Sequence, residues 1–325
     1  MLSSRSMELY RVAATIRCLD QQVAERVRTG KLRAATYGVR GLEVACAALG
    51  AALGHEDRMV STYRNLGDAV AKGLSVAEIV AEFYGKEAGP ARGKGGPMHL
   101  SSPSVGFMMT TGIVGSGLPI ATGLAWAAQL DSATSRIVVV TFGDAATSIG
   151  AAHEALNLAA SWKLPILFFC QNNQWGEHTP IAEYTAQPDL ALRAAAYGME
   201  ARTMDGFDHQ SCLSGIADAV ESVRSTRAPM FVDCVTYRLT PHSSAMDMSE
   251  MPESEVAAAL ERDPVPALRS ALADSESSHT DLIRIDSEIS ALVEKAFSEA
   301  ESADAADSSY TFTDVYASID SVSTR

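Results

Sequence analysis

Apolar residues recur at helical spacing from Glu8 to Thr29, with Gly30 as the stop, and again through the alanine-rich stretch Leu42 to Leu53 before Gly54. Ser75 to Tyr84 repeats that period, with Ser75 placed as an N-cap. Ser116 to Leu130 is an apolar helix. Between these helices the pattern changes. Asp57 to Tyr63 is short and β-branched, as a strand is. Arg136 to Phe142 (RIVVVTF) and Pro165 to Cys170 (PILFFC) are continuous apolar runs, the mark of strands covered on both faces. Pro229 to Tyr237 is a further strand and Glu200 to Met204 a shorter one. Helices are predicted at Ser148 to Trp162, Asp189 to Tyr197 and His209 to Ser225. Strand, helix, strand at this spacing means βαβ units, so the fold class is α/β with a mostly parallel sheet and helices on both faces.

Gly85 to Gly112 holds seven glycines and reads as one long loop, a kind of segment more often functional than idle. Leu239 to Pro252 is polar and turn-rich. Two helices follow, Ser254 to Asp274 and Asp281 to Ala300, and the acidic, serine-rich stretch Glu299 to Ser309 is expected to be mobile. No repeat or linker interrupts the pattern. Residues 1–250 are therefore read as one α/β domain, and 251–325 as a helical C-terminal extension of it. Trp126 and Trp162 are assigned to the core.

Composition narrows the function. Lys and Arg total 26 against 40 for Asp and Glu, a formal net charge of −14, which argues against a nucleic-acid partner. No apolar run reaches the roughly 18–20 residues that span a bilayer. Met1 to Tyr10 lacks the apolar core of a secretory signal. Cys18, Cys46, Cys170, Cys212 and Cys234 are scattered, with no CxxC pair, so they read as reduced core residues of a cytoplasmic protein.

In an open parallel sheet, ligands sit at the carboxyl ends of the strands. Two such ends carry chemistry: Gly143-Asp144-Ala145-Ala146 and Asn172-Asn173-Gln174-Trp175-Gly176. The 26 residues from 146 to 171 between them are one helix plus one strand, so the two ends lie side by side. Alone, Asp144 reads as a helix N-cap and Asn172 as a turn residue. Asp144 and Asn173 together, with a nearby backbone carbonyl, make a hard oxygen site of the kind Mg²⁺ shares with phosphates and water. The helix start near Ser148 also favours phosphate.

Gly-Asp, a helix and strand, then Asn-Asn resembles the thiamine diphosphate motif. From about Tyr10 to Tyr316 the chain resembles the alpha subunit of the decarboxylating component of 2-oxo acid dehydrogenases of the pyruvate, branched-chain and acetoin types. Supporting blocks are Gly41-Leu42-Glu43-Val44, Tyr63-Arg64, Gly93-Lys94-Gly95-Gly96-Pro97-Met98-His99, Thr111-Gly112-Ile113-Val114-Gly115, His153-Glu154-Ala155-Leu156-Asn157, Thr236-Tyr237-Arg238 with Pro241-His242-Ser243-Ser244, and Asp263-Pro264. The resemblance implies thiamine diphosphate and Mg²⁺ as cofactors. Asp144, Asn173 and the Trp175 carbonyl would hold the metal, with Gly143, Ala145 and Ala146 in the same loop. Tyr63, Arg64, Arg238 and His242 would stand near the diphosphate, and the backbone of Gly112 and Val114 would hold the aminopyrimidine. His242 would act in catalysis, moving protons near neutral pH, and Gly93, Gly95 and Gly96 with Lys94 and His99 would line the entrance.

The resemblance further implies oxidative decarboxylation of a small 2-oxo acid, with the acyl group passed to lipoamide. Single-chain thiamine diphosphate enzymes carry two α/β domains, and this chain has room for one. A beta subunit would complete the site, as two alpha with two beta chains, and a lipoyl-bearing acyltransferase would follow. Ala145 stands where the motif has a second glycine; a required positive φ there would cost about 1–2 kcal/mol, and ordinary helical backbone almost nothing. Leu42 replaces the family's glutamine, and Met246-Asp247 and Met251-Pro252 replace its usual loop. These leave open acetoin cleavage or ketol transfer, and Ala145 a non-catalytic, partner-binding subunit. Ser243 matches a position phosphorylated in some relatives. A nicotinamide-binding Rossmann protein is excluded, because no GxGxxG follows an early strand.

Overall fold

A computed structural model describes residues 2–131, 133–273 and 276–313 of the chain. Met1, Asp274, Tyr316 and the rest of the extension from 314 onward lie outside the described residues. The helices are α1 (Leu2–Arg28), α2 (Glu43–Ala52), α3 (Leu66–Lys72), α4 (Val76–Phe83), α5 (Gly117–Leu130), α6 (Gly150–Trp162), α7 (Ile181–Tyr184), α8 (Leu190–Ala195), α9 (His209–Thr226), α10 (Glu253–Glu261), α11 (Pro264–Leu272) and α12 (Glu276–Ser302). The strands are β1 (Arg58–Thr62), β2 (Phe107–Thr111), β3 (Val138–Gly143), β4 (Ile166–Asn172), the hairpin pair β5 (Trp175–Gly176) and β6 (Thr179–Pro180), β7 (Glu200–Asp205) and β8 (Met230–Val235). Six strands form one parallel sheet in the order β2-β1-β3-β4-β8-β7.

The period-2 alternation of the central strands explains the layers. Ile166, Phe168 and Cys170 of β4 join Val138, Val140 and Phe142 of β3 in a core under α5, α6 and α8. Leu167, Phe169 and Val139 face the other way, into a larger core with α1, α2, α9 and α12. Burying side chains such as Phe168 and Phe169 contributes about 1.5–3 kcal/mol each. Ser75 caps α4 as the sequence predicts and forms a full capping box with Glu78. All five cysteines are free thiols, four of them buried. No described helix is long and apolar enough to cross a membrane.

Four features differ from the sequence reading. The Gly85–Gly112 stretch is not loop throughout: it ends in edge strand β2, whose short FMMTT sequence sits between glycines and lacks the long apolar run of the central strands. Ahead of that strand the loop wraps round one carboxylate. Glu82 is fully buried; its Oε2 accepts the backbone N–H of Ala91 and Gly93 (2.9 and 3.0 Å), and its Oε1 those of Gly95 and Gly96 (2.7 and 3.2 Å). Gly93 has φ +75°, and a Cβ there would lie 2.4 Å from the Gly85 carbonyl carbon.

The helix expected over Ser254–Asp274 breaks at Asp263, which precedes a proline and adopts an extended ψ of 118°. Its carboxylate binds Arg17 and Arg40 instead of continuing a helix. Beyond α12, the acidic segment returns to the body of the protein: the Ala306 N–H donates to the Gly85 carbonyl (3.2 Å), and the Lys86 ammonium to the Ala303 carbonyl. α12 itself packs along α1, where the Tyr10 hydroxyl donates to Asp286 (2.6 Å).

Trp126 and Trp162 are not core. They pack against each other across α5 and α6, with ring centroids 5.1 Å apart and planes tilted by 59°, and each is nearly half exposed (48% and 47%). Ile113, Val114, Ile120, Leu130 and Leu158 are exposed as well. An all-apolar helix reads as a buried one; here one side of it is not covered by any of the described residues.

Candidate active site

The loops that leave β1, β2, β3, β4 and β8 at the carboxyl edge enclose a cavity of about 610 Å³. Tyr63, Arg64, Gly112, Val114, Gly143, Asp144, Ala145, Ala146, Asn173, Trp175 and His242 all line it, so residues spread over 180 positions converge because their strands are neighbours in the sheet. Arg238 does not line it. Its guanidinium turns away to the Glu177 carbonyl (2.7 Å) and the Glu250 carboxylate (2.9 Å), bracing the β5–β6 hairpin. Gly93, Gly95 and Gly96 are absent from the lining too, because they are folded round Glu82; Met98 is the part of that block that reaches the cavity.

Asp144 begins a 3-10 turn, Asp144–Ser148, rather than the α-helix itself, which starts at Gly150. Arg193 fixes that turn by donating to the Thr147 hydroxyl and carbonyl (3.0 and 2.8 Å). The Asp144 carboxylate is buried and accepts from the Asn173 N–H (3.2 Å) and the Tyr184 hydroxyl. Burial pushes its pKa up, against the pull of those donors. Asn173 Oδ1 accepts the Trp175 N–H (3.1 Å). Asn172 turns the other way, to Asp233 (2.9 Å) and Gln174, and so supports the loop.

No group of three or more His, Cys, Asp or Glu is placed to hold a metal among the described residues. The donors here are one carboxylate, one amide oxygen and a backbone carbonyl. That set suits a hard, oxygen-loving cation that takes its remaining ligands from phosphate and water. Ala145 lies in the 3-10 turn without a positive φ, so the alanine brings no backbone strain. Its methyl occupies the space that Gly176 leaves: a Cβ on Gly176 would lie 2.9 Å from it.

Across the cavity, Arg64 is buried and donates to the Gly38 and His242 carbonyls. Among the described residues no carboxylate forms an ion pair with it, which leaves its charge available to an anion. His242 sits against the rings of Tyr37 and Tyr63, with centroids 5.5 and 6.0 Å away. Burial, and then the Arg64 charge, push its pKa down to about 4. The imidazole is therefore neutral at pH 7 in the chain as it stands. Ser243 is buried, and Ser244 accepts the Thr36 N–H (3.1 Å).

Several site residues escape a sequence reading. The cavity floor is Ser61, Thr141 and Gln171, and all three donate to one buried carboxylate, Asp68 (2.6, 2.6 and 2.8 Å). Tyr37, Glu177 and Tyr184 complete the walls. No local pattern marks these residues; only the strand order brings them together.

The family model described as "Dehydrogenase E1 component" matches residues 10–309 of this chain. The alpha subunit of acetoin:2,6-dichlorophenolindophenol oxidoreductase from Bacillus subtilis (strain 168) is 33% identical over 319 residues, 98% of this chain and 95% of the relative. The pyruvate dehydrogenase E1 component subunit alpha of Rhizobium meliloti (strain 1021) is 29% identical over 311 residues, covering 95% and 89%. The chloroplastic pyruvate dehydrogenase E1 component subunit alpha-3 of Arabidopsis thaliana is 32% identical over 297 residues, covering 89% and 69%.

Proposed function

Because the chain belongs to the dehydrogenase E1 component family, a thiamine diphosphate-dependent one, as an alpha-type subunit of the pyruvate or acetoin kind, we propose that it binds the diphosphate end of that cofactor through Mg²⁺ and acts with a beta subunit. The observation that carries this reading is the pairing of Asp144, Asn173 and the Trp175 carbonyl at adjacent strand ends in one cavity with Arg64, a cation that forms no ion pair among the described residues. Asp144, Asn173 and Trp175 would hold Mg²⁺, and Arg64, with Tyr63 and His242 beside it, the phosphate oxygens. The backbone of Gly112 and Val114 would hold the aminopyrimidine. When bound, the cofactor supplies an electron sink at the carbon that loses CO₂ or an acyl group. The chain's own part is to bind and orient it, to keep water out and to present His242 as a neutral imidazole that can donate or accept a proton.

The proposed reaction is decarboxylation of a small 2-oxo acid with transfer of the acyl group to the lipoamide of an acyltransferase. Acetoin cleavage is the second reading. Leu42, which stands in place of the family's glutamine, lines the cavity, and among the described lining residues Arg64 is the one Lys or Arg side chain that could meet a substrate carboxylate. The exposed Trp126–Trp162 strip supports an assembly in which another subunit covers it.

Native mass spectrometry after gentle purification from its own cells tests the proposal. A complex with a second chain that carries thiamine diphosphate and magnesium is the expected result. A cofactor-free oligomer of this chain alone, still empty after addition of thiamine diphosphate, Mg²⁺ and a beta chain, would refute it. Substrate profiling of the intact complex separates 2-oxo acid from acetoin.

A further inference from the structure

Asp144 has a partner that lies outside the sequence motif. Tyr184 ends α7, and its hydroxyl donates to Asp144 Oδ2, while Oδ1 accepts the Asn173 N–H at 3.2 Å. The tyrosine ring is held in place. A Cβ on Gly176 would lie 3.3 Å from a Tyr184 ring carbon and 2.9 Å from the Ala145 methyl, so both side chains pack over that glycine. The next residue, Thr185, accepts a hydrogen bond from Arg193 (3.0 Å). The same guanidinium grips Thr147 in the turn that begins with Asp144. Tyr184 and Asp144 are thus tied together through the backbone as well as directly.

A phenol keeps its proton at pH 7, so the Tyr184 hydroxyl is a donor to Asp144. A carboxylate oxygen has two acceptor sites. With one donor on each oxygen, each keeps one site for a cation.

We propose that Tyr184 is a positioning residue for the metal: its hydroxyl fixes the Asp144 carboxylate in the orientation that offers its remaining lone pairs to a divalent cation. The inference rests on the Mg²⁺ reading above. It has a sign. A hydrogen-bonding partner that orients a ligand strengthens metal binding, and its loss typically costs 10–100-fold in affinity. A hydroxyl that merely plugged the site would weaken binding, and its loss would strengthen it.

The test is Mn²⁺ titration followed by electron paramagnetic resonance. It uses the full chain in complex with whatever partner copurifies, with and without saturating thiamine diphosphate. Wild type, Tyr184→Phe and Asp144→Ala are compared, and thermal unfolding without Mn²⁺ reads any structural cost separately. The expected result is one Mn²⁺ per chain for the wild type, binding about 10–100-fold weaker in Tyr184→Phe, and none in Asp144→Ala. Gly176→Ala, which displaces the ring while leaving the hydroxyl present, lowers affinity in the same direction and serves if Tyr184→Phe does not fold. Wild-type or tighter affinity in Tyr184→Phe overturns the inference and leaves the cation reading intact. Undiminished binding by Asp144→Ala, or none by the wild type, overturns the cation reading and the inference with it.

Discussion

Glu82→Gln is the sharpest probe of the segment before β2. The carboxylate receives four backbone N–H groups, two on each oxygen, between 2.7 and 3.2 Å. Glutamine keeps one oxygen and so two of the four bonds; its NH₂ group meets the other two N–H donors head-on. A hydrogen bond to a charged group contributes about 1.5–3 kcal/mol, so two lost bonds put the cost at roughly 3–6 kcal/mol. The four amides are only partly buried, and once the loop loosens, water replaces part of what was lost. The lower end, about 3 kcal/mol, is therefore expected, and it falls on local opening of the loop more than on global unfolding. Hydrogen exchange read on peptides spanning residues 85–100 measures it directly. At about 1.4 kcal/mol per tenfold, protection of the Ala91, Gly93, Gly95 and Gly96 amides falls roughly 100-fold, while the amides of β4 keep theirs. Exchange of those four amides within about threefold of wild type would refute the view that this carboxylate organises the loop, because the arithmetic leaves no such margin.

Other perturbations give equally definite outcomes. Arg224 pairs with buried Asp57, whose carboxyl burial alone would raise but which Arg224 and the backbone donors hold below the usual range. Arg224→Met costs about 3–5 kcal/mol in urea unfolding near pH 7, and the gap from wild type narrows as the pH falls below about 4, since the wild type loses this contribution as Asp57 protonates. Asp20 behaves in the opposite sense: burial, then the nearby Glu43 charge, push its pKa up to about 7. The folded chain holds that proton where the unfolded chain has released it, so wild-type stability falls between pH 4 and 7, by at most about 4 kcal/mol. Asp20→Asn keeps an acceptor for the Val39 N–H and flattens that slope; an unchanged ΔG–pH profile would sink the assignment. His242→Ala is expected to spare cofactor retention more than acyl transfer, and normal transfer by the intact complex would count against its role.

Much of the fold can be read from the sequence because β3, β4 and β8 are buried on both faces and announce themselves as apolar runs. Asp144 and Asn173 are legible for a related reason: each follows such a strand directly. Edge strand β2 is less legible, since it has one neighbour and is short, only partly buried and without a continuous apolar run. The exposed faces of Trp126 and Trp162 are illegible in principle, because a helix covered by its own chain and one left for another chain share the same apolar composition. Asp68 binds Thr141 and Gln171, 73 and 103 positions away, as well as nearby Ser61, and Tyr184 binds Asp144, 40 positions away; no local period encodes the distant pairings.

The pairing of α1 with α12 has a consequence for how the chain is made. Arg26 bonds Glu294 and Glu301, and Tyr10 bonds Asp286, so a helix made early is covered by one made much later. About 250 residues separate them, and at synthesis rates of roughly 5–20 residues per second the apolar side of α1 waits some 12 to 50 s for that cover. During this interval the nascent chain offers chaperones a long amphipathic helix. A chain cut short before α12 keeps every strand of the sheet and still carries that open seam.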